Sequence, residues 1–498
     1  MTTTGILYSM VHNYDRPPPG GWNKARHRQL RQMEDIKIGF VPAHREPFDD
    51  DWAVNMRKRC LTAVSKIKGL KVVAPDAKLT RGGLVRDDAD ADRAIKLFHD
   101  EKIDGLVIGT MTFGDEVSAL AVAAAFRDKP ILLFGTKEGD FTADGGRRSD
   151  SFCGTLAVSS GLHRRKIPFL FSGILFPEED AFKADIENFT AVCSIIKGFI
   201  GARIGLVGPR PERFETCISN EDALIQSFNQ RVVPTSLLDI MLRLEGLKDN
   251  APELQKIIGA MGKEVDLSAL GSKKARTIAG LQYALKQFAA EKGLSALAVQ
   301  CWTAIQEAYG VSACYALGRV TDSGLMTACE VDVYGALTML VQNLATLKKT
   351  PPHFIDWTIR HQTKKNLFLS WHCGNAPVSL ACRAGRIAIH PHSILSKQLG
   401  KERSMGTAEF QLKPGVVTLC RLAEYDGEFK MLVTKGEIME STQRLRGSWS
   451  WVKVPDLDGL YRTLVEEGFT HHASQIHGDY TTPISDACGL LGIQVVSV

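Results

Sequence analysis

The sequence predicts an α/β protein in which two Rossmann-like parallel-sheet domains are followed by a C-terminal, mainly antiparallel β domain. From residue 36 to about residue 349, short apolar segments alternate with amphipathic ones, which is typical of buried parallel strands joined by helices. After the pair Pro351-Pro352 this pattern changes. There Asp426-Gly427 separates two long apolar segments, which is a strong signal for an antiparallel β-hairpin.

The chain divides into four segments at its changes of composition. We place an N-terminal extension at 1–35, a first α/β domain at 36–172, a central α/β domain at 173–349 and a C-terminal β-rich domain at 350–498. The extension is set apart by the sequence Arg-Pro-Pro-Pro-Gly-Gly at 16–21, which cannot enter a helix or a sheet.

Apolar periodicity predicts the elements of each domain. The first domain has predicted strands at 36–41, 70–74, 105–109, 130–134 and 168–171, with helices near 51–67, 88–101, 115–127 and 151–164. The central domain has a long helix near 178–200, strands at 203–207, 232–235 and 296–301, and helices near 251–261, 274–292, 304–318 and 333–347. The C-terminal domain has hairpin strands at 416–424 and 428–434 and helices near 457–467 and 482–491.

Composition excludes several classes of protein. Lys and Arg number 61 against 56 Asp and Glu, and a net charge of +5 over 498 residues is too small to indicate a nucleic-acid or membrane surface. No apolar run approaches the roughly 20 residues that cross a bilayer, and we expect no secretory signal. The 11 cysteines include no C-x-x-C pair, which indicates a reducing compartment. We therefore expect a cytoplasmic protein with no nucleic-acid or membrane partner.

Several common catalytic motifs are absent from the sequence. The first strand is not followed by G-x-G-x-x-G, and the second domain has only Gly205 and Gly208 at the matching place, so the backbone cannot approach a pyrophosphate closely. No P-loop lysine motif, H-E-x-x-H or G-x-S-x-G occurs. Nicotinamide, phosphoryl-transfer and serine-hydrolase chemistry therefore have no support.

Glu330 and Asp332 follow a predicted strand that ends at Cys329. Because ligands bind at the carboxyl ends of strands in α/β folds, both carboxylates could bind a ligand or a metal ion. The alternative is that Asp332 caps the next helix and Glu330 is exposed to solvent. From these residues alone the two interpretations are equally good.

A second group of polar residues lies in the C-terminal domain. Asp356 and His372 are far enough apart for two strands and a connection, and Asn375 follows in a predicted turn that the histidine could instead stabilise. In the pair His471-His472, strand geometry points the two side chains in opposite directions, so only one can serve a given site.

Two further histidines, His390 and His392, fall in a loop that contains Pro391. For that reason we expect them at the surface of the protein.

The central segment resembles the L-arabinose isomerases. In that family a Tyr-Gly pair precedes an A-E-G-D sequence whose glutamate binds metal and acts in catalysis, and here Glu330 stands in its place. The family's second catalytic glutamate precedes an aspartate and an aromatic residue; this sequence has Ile355 there, followed by Asp356 and Trp357. The resemblance thus implies that Asp356 substitutes for the second glutamate.

The same resemblance extends to the histidines. His372 matches the histidine that follows the second glutamate, and His472 matches the second member of the family's C-terminal H-H pair. The L-fucose isomerases have an E-x-D at Glu330 and Asp332, with the aspartate as a manganese ligand, and a metal-binding histidine at the position of His472. The segments H-C-G-N-A-P and C-E-x-D-V-Y-G-A are similar to shorter fucose-isomerase-like proteins.

This resemblance implies an aldose–ketose isomerase with Mn²⁺, or another divalent cation such as Mg²⁺ or Co²⁺. The implied metal ligands are Glu330, Asp332, Asp356 and His472. Of these, Glu330 and either Asp356 or Asp332 would be catalytic, and the arabinose-type spacing favours Asp356. His372 and Asn375 would bind the substrate.

The family forms trimers and hexamers whose active sites include a neighbouring subunit, so a homotrimer or homohexamer is implied. Arg45, in the loop after the first strand, is a candidate to reach an adjacent site, and an ordinary surface arginine is the alternative.

The chemistry agrees with this assignment. Isomerisation through a cis-enediol moves one proton between adjacent carbons and another between their oxygens, and two carboxylates can act as base and acid. A divalent cation can polarise the carbonyl, and a carboxylate-rich site suits manganese or magnesium.

The candidate substrates are L-fucose, D-arabinose, L-arabinose or a modified deoxy sugar. The alternatives are a non-catalytic sugar-binding protein and a metal-dependent lyase or epimerase that uses the same enediolate.

Overall fold

The computed structural model describes residues 35–382 and 387–498. It contains three β-sheets that follow one another along the chain. Two sheets are parallel and flanked by helices, and the third is large, mixed and mostly antiparallel. The predicted fold class is therefore confirmed. Except for Asp35, the extension predicted at 1–35 lies outside the described residues.

The first sheet has five parallel strands in the order β2-β1-β3-β4-β5. They are β1 (Ile36–Ala43), β2 (Leu70–Val73), β3 (Gly105–Thr110), β4 (Ile131–Thr136) and β5 (Leu170–Leu175). The helices are α1 (Asp50–Val64), α2 (Asp88–Glu101), α3 (Glu116–Ala125), α4 (Ser151–Arg164) and the long α5 (Asp180–Phe199). Helices α1, α2 and α3 each begin where an aspartate side chain accepts a backbone N–H. Strand β5 continues past residue 172, where the sequence suggested a domain boundary.

The second sheet has four parallel strands in the order β7-β6-β8-β9. They are β6 (Arg203–Val207), β7 (Arg231–Thr235), β8 (Ala296–Val299) and β9 (Met326–Cys329). Its helices are α6 (Glu221–Phe228), α7 (Leu237–Glu245), α8 (Pro252–Glu264), α9 (Gly271–Lys292), α10 (Ala304–Tyr309), α11 (Cys314–Asp322) and α12 (Val333–Ala345). The single helix predicted near 304–318 is wrong, because Gly310 takes a left-handed conformation (φ 66°) that ends α10 and separates it from α11.

The third sheet has nine strands in the order β12-β13-β16-β11-β10-β17-β14-β15-β18. They are β10 (His353–Arg360), β11 (Leu367–His372), β12 (Ala388–Pro391), β13 (Met405–Gln411), β14 (Gly415–Tyr425), β15 (Glu428–Met439), β16 (Ser448–Lys453), β17 (His472–His477) and β18 (Gln494–Ser497), with helices α13 (Ser396–Leu399), α14 (Leu457–Glu466) and α15 (Thr481–Leu490). The predicted Asp426-Gly427 turn joins β14 to β15, with φ of 54° and 86°. Because β15 also pairs with β16, six of the strands form a closed ring.

Helix α12 connects the second sheet to the third. Every one of its residues is buried, and it packs against β8 and β9 and also against β14 and β17. Its few polar side chains bond to the C-terminal domain: Gln342 Nε2 donates to the carbonyls of Thr418 and Ser474, and Thr338 Oγ1 accepts the N–H of Leu422. The helix start, which follows Glu330 and Asp332, is thereby held against the third sheet. Among the described residues, no helix is both long enough and apolar enough to cross a membrane.

Candidate active site

The connection from β9 to α12 is a two-residue left-handed turn. After Cys329, Glu330 and Val331 have φ of 59° and 62°, a conformation that is unfavourable for non-glycine residues and most unusual for a β-branched one. Asp332 then caps α12, because its Oδ1 accepts the N–H of Gly335 at 2.8 Å. The turn leaves both carboxylates buried, at 5% and 1% exposure, so the solvent-exposed alternative for Glu330 is wrong.

His472, the first residue of β17, lies between the two carboxylates. Its Nδ1 is 2.8 Å from Asp332 Oδ2, and its Nε2 is 3.0 Å from Glu330 Oε2. Burial alone would lower the pKa of His472, but these contacts raise it well above its usual value. Burial alone would raise the pKa of Glu330, but the hydrogen bond from His472 and the charge of that ring, with smaller contributions from His372 and His471, together hold it below its usual range. A proton or a cation is therefore required where Nε2 meets the carboxylate.

Asp332 has a second partner, the buried Arg421 of β14. Although burial would raise the pKa of Asp332, the charge of Arg421 and the hydrogen bond from His472 hold it well below its usual range. Both guanidinium terminal nitrogens contact the carboxylate, and both side chains are 1% exposed. With the helix cap and His472 added, each oxygen of Asp332 is occupied. Such a carboxylate orients a histidine whose other nitrogen faces the site.

Asp356 approaches His472 from the neighbouring strand β10. The two residues are directly opposite in the antiparallel pairing, and Asp356 Oδ1 lies 3.8 Å from His472 Nε2. This oxygen is buried and has no hydrogen-bond partner among the described residues. Burial raises the pKa of Asp356 to about 7, with the charge of Glu330 adding and that of His472 opposing. Ile355 points to the other face of the strand, into the apolar interior of the six-stranded ring.

His372 ends β11 beside this group and is 2% exposed. Its Nδ1 accepts the backbone N–H of Cys373 at 2.8 Å, so a neutral ring has its proton on Nε2. Within the described part of the chain, Nε2 has no partner. Burial lowers the pKa of His372 to about 3, so the ring is neutral at physiological pH. His372 therefore presents a buried N–H donor to the site.

Asn375 is buried nearby, and its amide nitrogen contacts Cys329 Sγ at 3.3 Å. Its Oδ1 has no partner among residues 35–382 and 387–498, so it can accept a hydrogen bond from a ligand. The other member of the histidine pair, His471, is exposed and precedes β17, and its ring centre lies only 4.1 Å from that of the buried His472, so the expected placement of the two side chains on opposite faces is wrong.

The structure does not bring Arg45 to this group. Arg45 lies in the first domain, where its guanidinium contacts Glu116 and lies 4.8 Å from the ring centre of Phe113. No contact with a candidate site residue of the same chain is found in the described part. Its suggested role in an adjacent subunit stays a prediction.

Sequence reasoning missed three residues of the site. His392 was expected at the surface, but it is 1% exposed; its Nδ1 accepts two backbone N–H groups and its ring packs against Trp302. Cys217 Sγ lies 3.9 Å from His472 Nδ1 and comes from a short 3₁₀ helix, Glu215–Cys217, with no recognisable motif. Arg421 did leave a signal, since it is a lone charge between Cys420 and Leu422 in an apolar strand.

The residues fit a divalent cation. Potential ligand atoms of Asp356, His372 and His472 lie within 4.8 Å of one another, and a second such group comprises Cys217, Glu330 and His472. Carboxylate oxygens and imidazole nitrogens suit Mn²⁺ and similar ions. Glu330, Asp356 and His472 are the ligands that this arrangement favours, because the oxygens of Asp332 are already used.

Comparisons with known proteins agree with the geometry. A family model of the fucose/sulfoquinovose isomerase N-terminal domain matches residues 39–200, and one of the L-fucose isomerase C-terminal domain matches residues 370–498. The sulfoquinovose isomerase of Alkalicoccus urumqiensis is 27% identical over 404 residues, which cover 79% of this chain and 86% of that protein. The sulfoquinovose isomerase of Priestia aryabhattai is 25% identical over 476 residues, covering 93% and 99%.

Fold, site and relatives together define an aldose–ketose sugar isomerase. The chain belongs to the fucose-isomerase-like family, as the sequence motifs indicated.

Proposed function

We propose that this isomerase interconverts sulfoquinovose, a 6-deoxy-6-sulfo aldohexose, and its 2-ketose in a reaction that requires a divalent cation, preferably Mn²⁺. The substrate is inferred from relatives whose names specify sulfoquinovose and whose similarity extends over most of this chain. Metal dependence is inferred from a single observation: Glu330 Oε2 and Asp356 Oδ1 lie 3.0 and 3.8 Å from the same nitrogen, His472 Nε2, and Asp356 Oδ1 has no hydrogen-bond partner among the described residues.

The bound cation would polarise the substrate carbonyl and hold the neighbouring hydroxyl oxygen beside it. The chain's own residues determine where protons move. Glu330 has a depressed pKa and is ionised, whereas the pKa of Asp356 is raised to about 7. Environments that push two carboxyl pKa values apart divide the roles of base and acid between them. We assign to Asp356 the proton that moves between C1 and C2, because its Oδ1 is buried at the site and accepts no hydrogen bond among the described residues, which leaves a carboxylate oxygen available as the base.

The remaining polar groups orient the sugar. His372 Nε2–H is a fixed, neutral donor that can hold a substrate oxygen, and Asn375 Oδ1 can accept from a hydroxyl. Asp332 holds His472 through Nδ1, which keeps Nε2 facing the site. Arg421 compensates the charge of Asp332 and has no direct role in catalysis.

Arg45 and the oligomeric state form a separate part of the proposal. Because Arg45 does not contact the site of its own chain in the described residues, a functional role requires a second copy in a homotrimer or homohexamer. Mixing inactive Arg45→Ala and Asp356→Asn proteins tests this idea, since mixed oligomers would regain part of the activity. Failure to regain activity, with mixed oligomers shown to form, would refute a shared site.

The decisive experiment supplies the metal-loaded protein with sulfoquinovose, L-fucose, D-arabinose and L-arabinose and follows the products by NMR. We expect ketose from sulfoquinovose with a kcat/KM well above that for the other sugars. The Asp356→Asn variant is the control for activity from contaminating enzymes. Preferred turnover of L-fucose or an arabinose would contradict the substrate assignment. An epimer or cleavage products would favour an epimerase or a lyase, and binding without turnover would favour a sugar-binding protein.

A further inference from the structure

A cleft of about 460 Å³ lies where all three domains meet. One wall is the segment after α1, with Lys66 and Lys68, and a second wall is α5, with Lys183 and Asn188. The segment after α12 and the residues after β17 complete it. None of the candidate active-site residues lines this cleft, so it is a separate feature of the fold.

The charge in this cleft is predominantly positive. Four lysine side chains line it, from Lys66, Lys68, Lys183 and Lys349. Of the two carboxylates there, Asp479 is paired with Lys435 at 2.8 Å, and Glu187 lies 3.8 Å from Lys183. Within the described ranges, Lys68 and Lys349 form no ion pair with a carboxylate. A concave surface lined by one sign of charge concentrates small ions of the opposite sign.

We propose that this cleft is an effector site for a small organic anion with a phosphate or sulfonate group. Tetrahedral anions of this kind offer several oxygens to ammonium donors that approach from different sides, and the lysines come from three separate segments. Asn188 and Tyr480 also line the cleft, and each has a polar side-chain group with which the remainder of the ligand could form a hydrogen bond. Its volume accommodates a molecule of monosaccharide size.

The proposal includes coupling to the active site, because two elements extend from one site to the other. Helix α12 begins at the Asp332 cap, and the residues just beyond its last turn line the cleft. Strand β17 begins with His472, and Asp479 and Tyr480 follow soon after its end. A helix of 13 residues is about 20 Å long, so a ligand that draws the cleft walls together acts on rigid elements bearing both active-site residues.

The test measures binding to the full-length, metal-loaded protein by calorimetry, with inorganic phosphate, fructose 6-phosphate and ethanesulfonate as probes. We expect saturable binding by wild type that is at least tenfold weaker in a Lys68→Gln/Lys349→Gln variant. The matched control, Lys256→Gln/Lys263→Gln, removes two exposed lysines from α8 and should bind as wild type does. Tighter binding of fructose 6-phosphate would indicate a phosphate ester as the ligand, and tighter binding of ethanesulfonate a sulfonate.

The same probes should change kcat/KM for isomerisation in wild type and in the control, but not in the Lys68→Gln/Lys349→Gln variant. Absence of saturable binding of all three probes, or equal weakening in both double variants, would overturn the proposal. Binding at the cleft with unchanged kcat/KM would overturn the effector role. Because calorimetry needs no turnover, the binding results do not depend on which sugar the enzyme isomerises.

Discussion

Replacing Asp332 and Asp356 by asparagine, one at a time, should give two opposite phenotypes. Each change removes one carboxylate and keeps the shape of the side chain. The contacts of the two residues differ, however: both oxygens of Asp332 accept hydrogen bonds, whereas Asp356 Oδ1 accepts none in the described part of the chain. We therefore expect the loss of stability at one position and the loss of catalysis at the other.

Asp356→Asn should impair catalysis. A positioned acid–base group contributes roughly 10²–10⁴-fold to the rate, so kcat should fall by about that factor. Folding should not suffer, because Asp356 Oδ1 accepts no hydrogen bond in the described part of the chain, its contact with His472 Nε2 is as long as 3.8 Å, and burial raises the pKa of the carboxyl group to about 7. In metal-free protein above pH 7, the neutral amide should be at least as stable as the wild-type carboxylate.

Asp332→Asn should impair stability. It leaves the guanidinium of Arg421, which is 1% exposed, without its carboxylate, and breaking a buried pair in this way costs about 3–5 kcal/mol. The loss of stability should not come from the cap of α12, since asparagine is as good an N-cap as aspartate. A further change, Arg421→Met, should restore much of the lost stability in the double variant, because both charges are then removed.

The assays are denaturant unfolding and steady-state isomerisation, each with and without added Mn²⁺. The Asp332→Asn/Arg421→Met double variant separates the loss of the ion pair from any direct effect on chemistry. If Asp332→Asn is as stable as wild type but inactive, and Asp356→Asn retains near-normal kcat, the reasoning is refuted. Asp332 would then be the second catalytic carboxylate, as in the fucose-type pattern.

Three further predictions concern the cation, the proton path and acid stability. Chelation by EDTA should abolish turnover and Mn²⁺ should restore it; full activity in protein shown to be metal-free by mass spectrometry would contradict this. Ketose formed in deuterium oxide should contain deuterium at C1, whereas a hydride shift would leave no label. Burial lowers the pKa of His353 to about 3, so the unfolded chain takes up a proton that the folded protein does not, and stability should fall as the pH drops from about 6.5 towards 3. His353→Gln should reduce that slope in unfolding experiments, and an unchanged slope would exclude His353 as a cause.

Local sequence signals predicted many of the strands and turns of the molecule well. The hairpin at Asp426-Gly427 needed only the turn preference of that dipeptide, and β3 and β4 needed only their apolar composition. The same holds for the strand-to-helix turn that contains Glu330. Prediction failed where one residue overrides the apolar pattern around it. The pattern near 304–318 continues through Gly310 and predicted a single helix, but this glycine ends α10.

Contacts between distant segments could not be predicted in the same way. The Arg421–Asp332 pair joins β14 to the start of α12, and neither segment alone indicates the other. The sequence offered Asp332 as a cap or as a metal ligand, and the structure shows that the cap also orients His472. Ile355 looked like a departure from the family, but strand alternation turns its side chain away from the site and brings Asp356 to face His472.

The charges around His472 also explain why a buried arginine belongs beside this site. In the metal-free protein His472 is protonated and Asp356 largely so below pH 7, and their protons together with Arg421 balance the carboxylates of Glu330 and Asp332. Once His472 and Asp356 have lost these protons, the five side chains together carry a net charge of −2, which one divalent cation neutralises. Binding of Mn²⁺ should therefore release close to two protons near pH 6 and fewer above pH 8, where Asp356 is already ionised. Calorimetry in buffers of different ionisation enthalpy measures this number, and a value near zero at pH 6 would show that the cation does not bind at Asp356 and His472.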